Sequence, residues 1–224
     1  MQMKSYVLRT GRVSPRQQNA LDHGLEEFEL KNTGQPWDLA QIFGRSAETI
    51  VEIGFGMGAS LISMALERPD RNFLGIEVHR AGLGALVADL HSNSMTNVRI
   101  APLDAVEVFD TCLTDSSITG VQIFFPDPWP KKRHHKRRLV QSAFINRLVQ
   151  KIRPGGFLHC ATDWQAYAEH MLAVLSAEPC LINQSTSNDY VVRPNLRPLT
   201  KFEHRGLLLG HGVWDLLFMR SNYG

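Results

Sequence analysis

The chain predicts an α/β fold: one mostly parallel sheet of about seven strands with helices on both faces. Three observations carry this. From Thr49 to Ala177, apolar runs of strand length alternate strictly with helical patterns through short links, which is how parallel strands and crossover helices are written. The turn after the first strand, Gly54-Phe-Gly-Met-Gly58, has glycines at alternate positions, so the backbone can turn sharply and approach a ligand without Cβ interference. The acidic residues follow the strands, Glu77 closing the second, Asp104 after the third, Asp127 after the fourth and Asp163 after the fifth. Open parallel sheets place their ligands beyond those carboxyl ends.

Length and composition agree with one domain. The 224 residues are 43% hydrophobic, enough for a sizeable core. Residues 1–46 read as an N-terminal arm packed on a main domain of residues 47–224. The arm carries helical patterns from Gln17 to Leu30 and Trp37 to Phe43, separated by the breakers Asn32-Thr-Gly-Gln-Pro36. The main domain then reads strand Thr49 to Ile53, helix Ala59 to Glu67, strand Phe73 to Val78, helix Arg80 to Ser94 and strand Val98 to Pro102. It continues with helix Ala105 to Leu113, strand Val121 to Phe125, helix Leu139 to Ile152, strand Gly156 to Thr162 and helix Gln165 to Ala177. Two tail strands, Tyr190 to Val192 and Val213 to Met219, flank a long connection, and connections of that length in a small domain are usually functional.

Charge and cysteine usage narrow the class. Net charge is only +2, yet Lys131 to Arg138 is a block of six lysines or arginines and two histidines, a local docking patch for an anionic partner. A solvated surface run is the plain alternative. Three separated cysteines without metal-ligand spacing point to a reducing compartment, no disulfide framework and no metal. No apolar stretch reaches the length of a membrane span, so a soluble cytoplasmic protein, monomer or homodimer, is expected.

The glycine loop admits two cofactors. Gly54, Gly56 and Ala59 satisfy the dinucleotide pattern, with Glu77 near the place of its ribose-binding acid. Against a pyrophosphate stands Glu52, just before the first glycine, where a carboxylate favours a cation. S-adenosylmethionine carries an ammonium and a sulfonium, and Asp104 is placed to meet an adenine amino group. Glu52 and Asp104 as plain helix N-terminal acids or caps remain the bland reading.

Phe124-Phe-Pro-Asp-Pro-Trp-Pro130 joins the fourth strand to the basic block. Its prolines bias the residues before them to extended conformations, presenting Asp127 and Trp129 on a stiff support. Asp127 is similar to the Asp/Asn-Pro-Pro-aromatic turn of nitrogen methyltransferases, with Trp129 the nearest stacking surface, while Trp164 reads as packing.

Val51-Glu-Ile-Gly-Phe-Gly-Met-Gly58, Gly75-Ile-Glu-Val-His79, the 124–138 block, Ala161-Thr-Asp-Trp164 and Pro198-Leu-Thr-Lys-Phe-Glu203 together resemble the bacterial tRNA (guanine-N7-)-methyltransferase family. The resemblance implies a Rossmann-like class I S-adenosylmethionine-dependent methyltransferase fold. It also implies methyl transfer to N7 of the guanosine at position 46 in the tRNA variable loop. By the same resemblance Glu52, Glu77, Asp104 and Asp127 hold or border the cofactor, which Gly54, Gly56 and Gly58 let the backbone approach; Asp127 is the candidate catalytic residue, because a fixed carboxylate beside guanine N7 can balance the charge that methylation puts on the purine. Lys131, Asp163, Thr200, Lys201, Phe202 and Glu203 hold the substrate guanosine, and Arg133, His134, His135, Lys136, Arg137 and Arg138 hold RNA. Which of Asp127, Asp163 and Glu203 meets the guanine edge stays open.

Overall fold

Helix formation starts at Ser14. Its hydroxyl accepts from the Gln17 amide while the Gln17 side chain accepts from the Ser14 amide, a reciprocal cap with Pro15 in the first turn. In this computed structural model, which describes residues 6, 12–194, 197–199, 203 and 212–222, α1 (Pro15–His23) ends at Gly24 and a short α2 (Leu25–Phe28) follows. The expected single helix from Gln17 to Leu30 is therefore broken. A Cβ at position 24 would come within 2.4 Å of the His91 ring, so this glycine permits the close packing that bends the chain. Beyond it Glu29 pairs with Ile100, and the Leu30 amide donates to the Ile100 carbonyl at 2.7 Å, tying the arm to the sheet edge. Asp38 then caps α3 (Leu39–Phe43) through the Gln41 amide, and Gly44 ends it at φ 66°.

The central elements follow as β1 (Thr49–Ile53), α4 (Ala59–Glu67), β2 (Asn72–Ile76), α5 (Arg80–Ser92), β3 (Val98–Ala101), α6 (Ala105–Glu107) and β4 (Ile118–Phe124). A single π turn, Val108–Cys112, replaces the regular end expected for the sixth helix, and its Cys112 carbonyl accepts from the Trp37 amide of the arm. Next come α7 (Ser142–Lys151), β5 (Ile152–Thr162), α8 (Gln165–Ser176), β6 (Leu181–Asn183) and β7 (Trp214–Arg220). The seventh helix starts at Ser142 rather than Leu139 because Val140 is engaged elsewhere: its amide donates to the Tyr167 hydroxyl, and its carbonyl bonds His170 Nε2.

Strand order is β3-β2-β1-β4-β5-β7-β6, parallel through β5 and antiparallel where β7 pairs with β5 and β6. The first tail strand is Leu181–Asn183, not Tyr190 to Val192. The latter segment makes only a bridge between Val191 and Asp215, on the stretch of β7 that β6, paired with Phe218 to Arg220, leaves open. Alternation in β1 and β4 sorts the core onto two faces: Val51, Ile53, Val121 and Ile123 on one, Ile50 and Phe124 on the other. Chain order reverses between β1 and β4. The ends of these two strands, where a parallel sheet opens a crevice, carry the site.

Candidate active site

The glycine loop lies between β1 and α4 with Gly54, Gly56 and Gly58 at φ 75°, 58° and 84°, a backbone that L side chains rarely adopt. A Cβ on Gly54 or Gly56 would point into open space, and Gly54 lines the cleft. Its reverse side is tight. A Cβ on Gly82, in the first turn of α5, would stand 2.1 Å from the Gly56 carbonyl oxygen. Glu77, directly after β2, fastens the same loop: Oε2 accepts from the Gly56 amide at 3.0 Å, while Oε1 accepts from the Val78 and His79 amides at 2.7 and 3.0 Å.

In front of the loop is a cleft of about 260 Å³. Ile53, Ile76, Leu103 and Phe124 give it an apolar floor, and Gly54, Glu77 and Asp127 bring backbone and two carboxylates to its rim. Tyr6 of the arm and Leu139 complete the wall. Small-molecule sites have this composition, a mostly apolar concavity with a few placed polar groups.

Two acids expected in the cofactor's first contacts are placed differently. Glu52 is 2% exposed and is not among the residues lining the cleft. Ile53 takes that position, and strand alternation turns Glu52 to the other face, where its Oε1 accepts from Ser60 Oγ at 2.6 Å and its Oε2 has no partner. Burial, partly offset by the Ser60 hydrogen bond and reinforced by the nearby Glu77 charge, raises its carboxyl to about 7. Asp104 caps α6, its Oδ1 accepting from the Val106 amide at 2.9 Å, while its neighbours Leu103 and Ala105 line the cleft.

Asp127 is exposed at the cleft rim. Phe125 and Trp129, each followed by proline, have φ of 50° and 45° rather than the extended values expected, so the turn is tighter than its prolines imply. The basic block forms a 3-10 turn over Lys132–Arg137. Lys131, Lys132, Arg133 and Lys136 are exposed, and His134 and His135 are partly so. Burial and the surrounding cations lower the His134 imidazole, which therefore stays uncharged to lower pH. Trp129 lies 5.0 Å from the Arg137 guanidinium and edge-on to His134, so the block's own side chains already pack against it.

Arg138 does not belong to the exposed run. It is 4% exposed, its Nε donates to the Pro128 carbonyl at 2.9 Å, and its guanidinium lies 4.7 Å from the Tyr167 ring centre. In this structure it faces the protein interior, whereas the sequence reading expects it to meet phosphate. Glu203 is likewise buried and pairs through both oxygens with Arg197, so its acceptors face a cation inside the protein rather than an open guanine pocket. Asp163 is exposed after β5, and Trp164 beside it is 42% exposed, against the expectation of packing. Thr200, Lys201 and Phe202 lie outside the described residues.

Sequence reasoning missed a buried polar network. His159 Nε2 and Asp215 Oδ1 are 2.8 Å apart, and Arg197 donates to both Asp215 oxygens at 3.0 and 2.9 Å before reaching Glu203. Burial would raise the Asp215 carboxyl, but its hydrogen bonds to His159 and Arg197 and the guanidinium charge hold it below the usual carboxylate range. A signal was present: His159 interrupts the apolar run Phe157 to Ala161 and Asp215 the run Trp214 to Met219, at same-face positions of paired strands. Among the described residues no helix is long and apolar enough to cross a membrane, and no group of His, Cys, Asp or Glu is placed to hold a metal.

A parallel sheet with a reversed seventh strand, a glycine loop after β1 and an acid after β2 define a class I, Rossmann-like S-adenosylmethionine-dependent methyltransferase fold. The solved 16S rRNA methyltransferase KamB shares it, with a TM-score of 0.59 at 14% identity over 84% of this chain and 95% of that one. Residues 46–216 match the family described as "Putative methyltransferase". Over 221 residues the chain is 62% identical to the tRNA (guanine-N(7)-)-methyltransferase of Legionella pneumophila (strain Corby), covering 98% of both. It is 51% identical to the enzyme of that name from Pasteurella multocida (strain Pm70), covering 98% of this chain and 86% of that one. The chain belongs to the tRNA (guanine-N(7)-)-methyltransferase family.

Proposed function

We propose that this protein transfers the methyl group of S-adenosylmethionine to N7 of a guanosine in tRNA, at position 46 of the variable loop. A cytoplasmic location is part of the same proposal, since that is where a bacterial tRNA meets such an enzyme. The observation that carries the reading is the cleft itself: a glycine loop and Glu77 on one side, Asp127 on the other, and an exposed cationic run directly beyond Asp127.

The residues fit S-adenosylmethionine. Gly54 and Gly56 leave room at the loop, the Ile53, Ile76 and Leu103 floor suits an adenine face, and the Glu77 carboxylate suits ribose hydroxyls. When bound, the cofactor supplies an electrophilic methyl on a sulfonium. Glu77 has a double task, gripping the loop through the Gly56 amide while offering remaining acceptor capacity to the ligand. Lys131, Lys132, Arg133 and Lys136 neutralise tRNA phosphates and orient the nucleotide, and Asp163 with Trp164 stands exposed at the same ends of the strands.

Guanine N7 is an unprotonated lone pair at neutral pH, so the protein needs no general base there. Methylation makes the purine cationic. A fixed carboxylate at Asp127 stabilises charge that develops in the transition state, and holding nucleophile and methyl in line supplies the rest. Incubation of tRNA with labelled S-adenosylmethionine followed by nucleoside analysis tests the reaction, with N7-methylguanosine as the expected product. Asp127→Asn keeps shape and removes charge; its single-turnover rate should fall by about 10²–10³ with folding intact. A rate within about threefold of the parent protein would make Asp127 scaffolding.

A further inference from the structure

The turn that carries Asp127 is fastened at each end by a buried arginine. At its entry, the left-handed Phe125 donates its amide to the Ala161 carbonyl of β5 at 2.8 Å. The fully buried Arg197 guanidinium lies 5.4 Å from the Phe125 ring centre and 5.7 Å from that of Phe124. Arg197 is immobilised by Asp215, which pairs in register with the same Ala161, and by Glu203. At the exit, Arg138 Nε holds the Pro128 carbonyl at 2.9 Å while its guanidinium packs on Tyr167. The next residue, Trp129, is again left-handed. Non-glycine residues in this region persist only when their surroundings over-determine them; here Phe125 stands beside the Arg197 guanidinium, and the carbonyl just before Trp129, that of Pro128, accepts from Arg138 Nε.

We propose that Arg138 and Arg197 are positioning residues that fix the Asp127 carboxylate for methyl transfer, and that Arg138, although it closes the basic run, is not an RNA contact. The inference rests on the function proposed above. It follows from burial: Arg138 Nε donates to the turn, and the whole residue is only 4% exposed, too buried to meet a phosphate. Planarity is what both sites use. Arg138 stacks on a ring while donating in its own plane, and Arg197 spans two carboxylates beside two rings; lysine keeps the charge and loses that fork.

Arg138→Lys is therefore the discriminating variant. At saturating tRNA and S-adenosylmethionine its single-turnover rate should fall at least about tenfold, since displacement of a reacting geometry by about 1 Å can cost 10²-fold. Its tRNA affinity and the salt dependence of that affinity should match the parent. Arg197→Lys, at the other end of the turn, should give the same signature independently. Arg138→Gln should also leave the salt slope unchanged, whereas Arg133→Gln, at an exposed position of the run, should flatten it by about 0.7–0.9 for a phosphate lost. Parent-like rates in both lysine variants would overturn the inference, as would a flattened slope in Arg138→Gln. A parent protein that forms no N7-methylguanosine would instead overturn the proposed function, and the positioning role with it.

Discussion

Glu52→Gln isolates the energetic cost of placing a carboxylate under the glycine loop. Glu52 is buried against Ser60, has one oxygen without a partner and feels the Glu77 charge, so its carboxyl titrates near 7 instead of its ordinary 4.5. Between those values the unfolded chain has released its proton and the folded chain has not. The folded state then binds more protons, and stability falls as pH rises through this window. At about 1.36 kcal/mol per pH unit of difference, the loss reaches about 3 kcal/mol above pH 7. Glutamine keeps a carbonyl for the Ser60 hydroxyl and cannot ionise. Urea unfolding of the cofactor-free protein at a series of pH values is the assay. The variant should match the parent near pH 4.5 and gain on it progressively, to about 2–3 kcal/mol at pH 8. A variant-minus-parent difference that stays flat from pH 4.5 to 8 would show that Glu52 is ionised at ordinary pH and that its burial is compensated by a contact other than Ser60.

Three other perturbations test the remaining parts of the site. Glu77→Ala removes both the loop tether and the ribose acceptor, and calorimetry should show S-adenosylmethionine binding weakened by at least about 1–3 kcal/mol; unchanged affinity would remove Glu77 from the cofactor site. Gly82→Ala drives a methyl into the Gly56 carbonyl, so a thermal melt should show about 1–3 kcal/mol of destabilisation with cofactor affinity reduced, and a parent-like melt would mean that α5 does not abut the loop. Asp215→Asn leaves Arg197 and His159 facing a neutral amide; roughly 3–5 kcal/mol should disappear from the urea unfolding free energy at pH 7. Because the Asp215 carboxyl sits below its ordinary range, the parent's advantage should persist above that range and vanish only as pH falls through it, and an advantage that vanished near neutrality would contradict the pairing.

Most of the fold from Thr49 onward was legible because the first four strands are largely apolar runs, most of them bounded by glycine, proline or an acid, and short links leave little choice but crossover helices. The glycine loop, Glu77 and Asp127 were legible for the same local reason: a residue directly after a parallel strand stands at the sheet's carboxyl end wherever that strand lies. Tertiary structure decided what local pattern does not encode. The helix at residues 17–30 breaks because Gly24 meets His91, a residue 67 positions away, and β6 forms at Leu181–Asn183 because β7 offers it an edge. Glu52 faces Ser60 rather than the cleft because alternation along β1 counts from a register that only the paired sheet defines. Arg138 and Arg197 show the limit most plainly. In the sequence both are cations near other cations, but burial depends on what packs over a side chain, and Tyr167, Pro128, Asp215 and the Phe124-Phe125 rings reach them from distant segments only once the chain has folded.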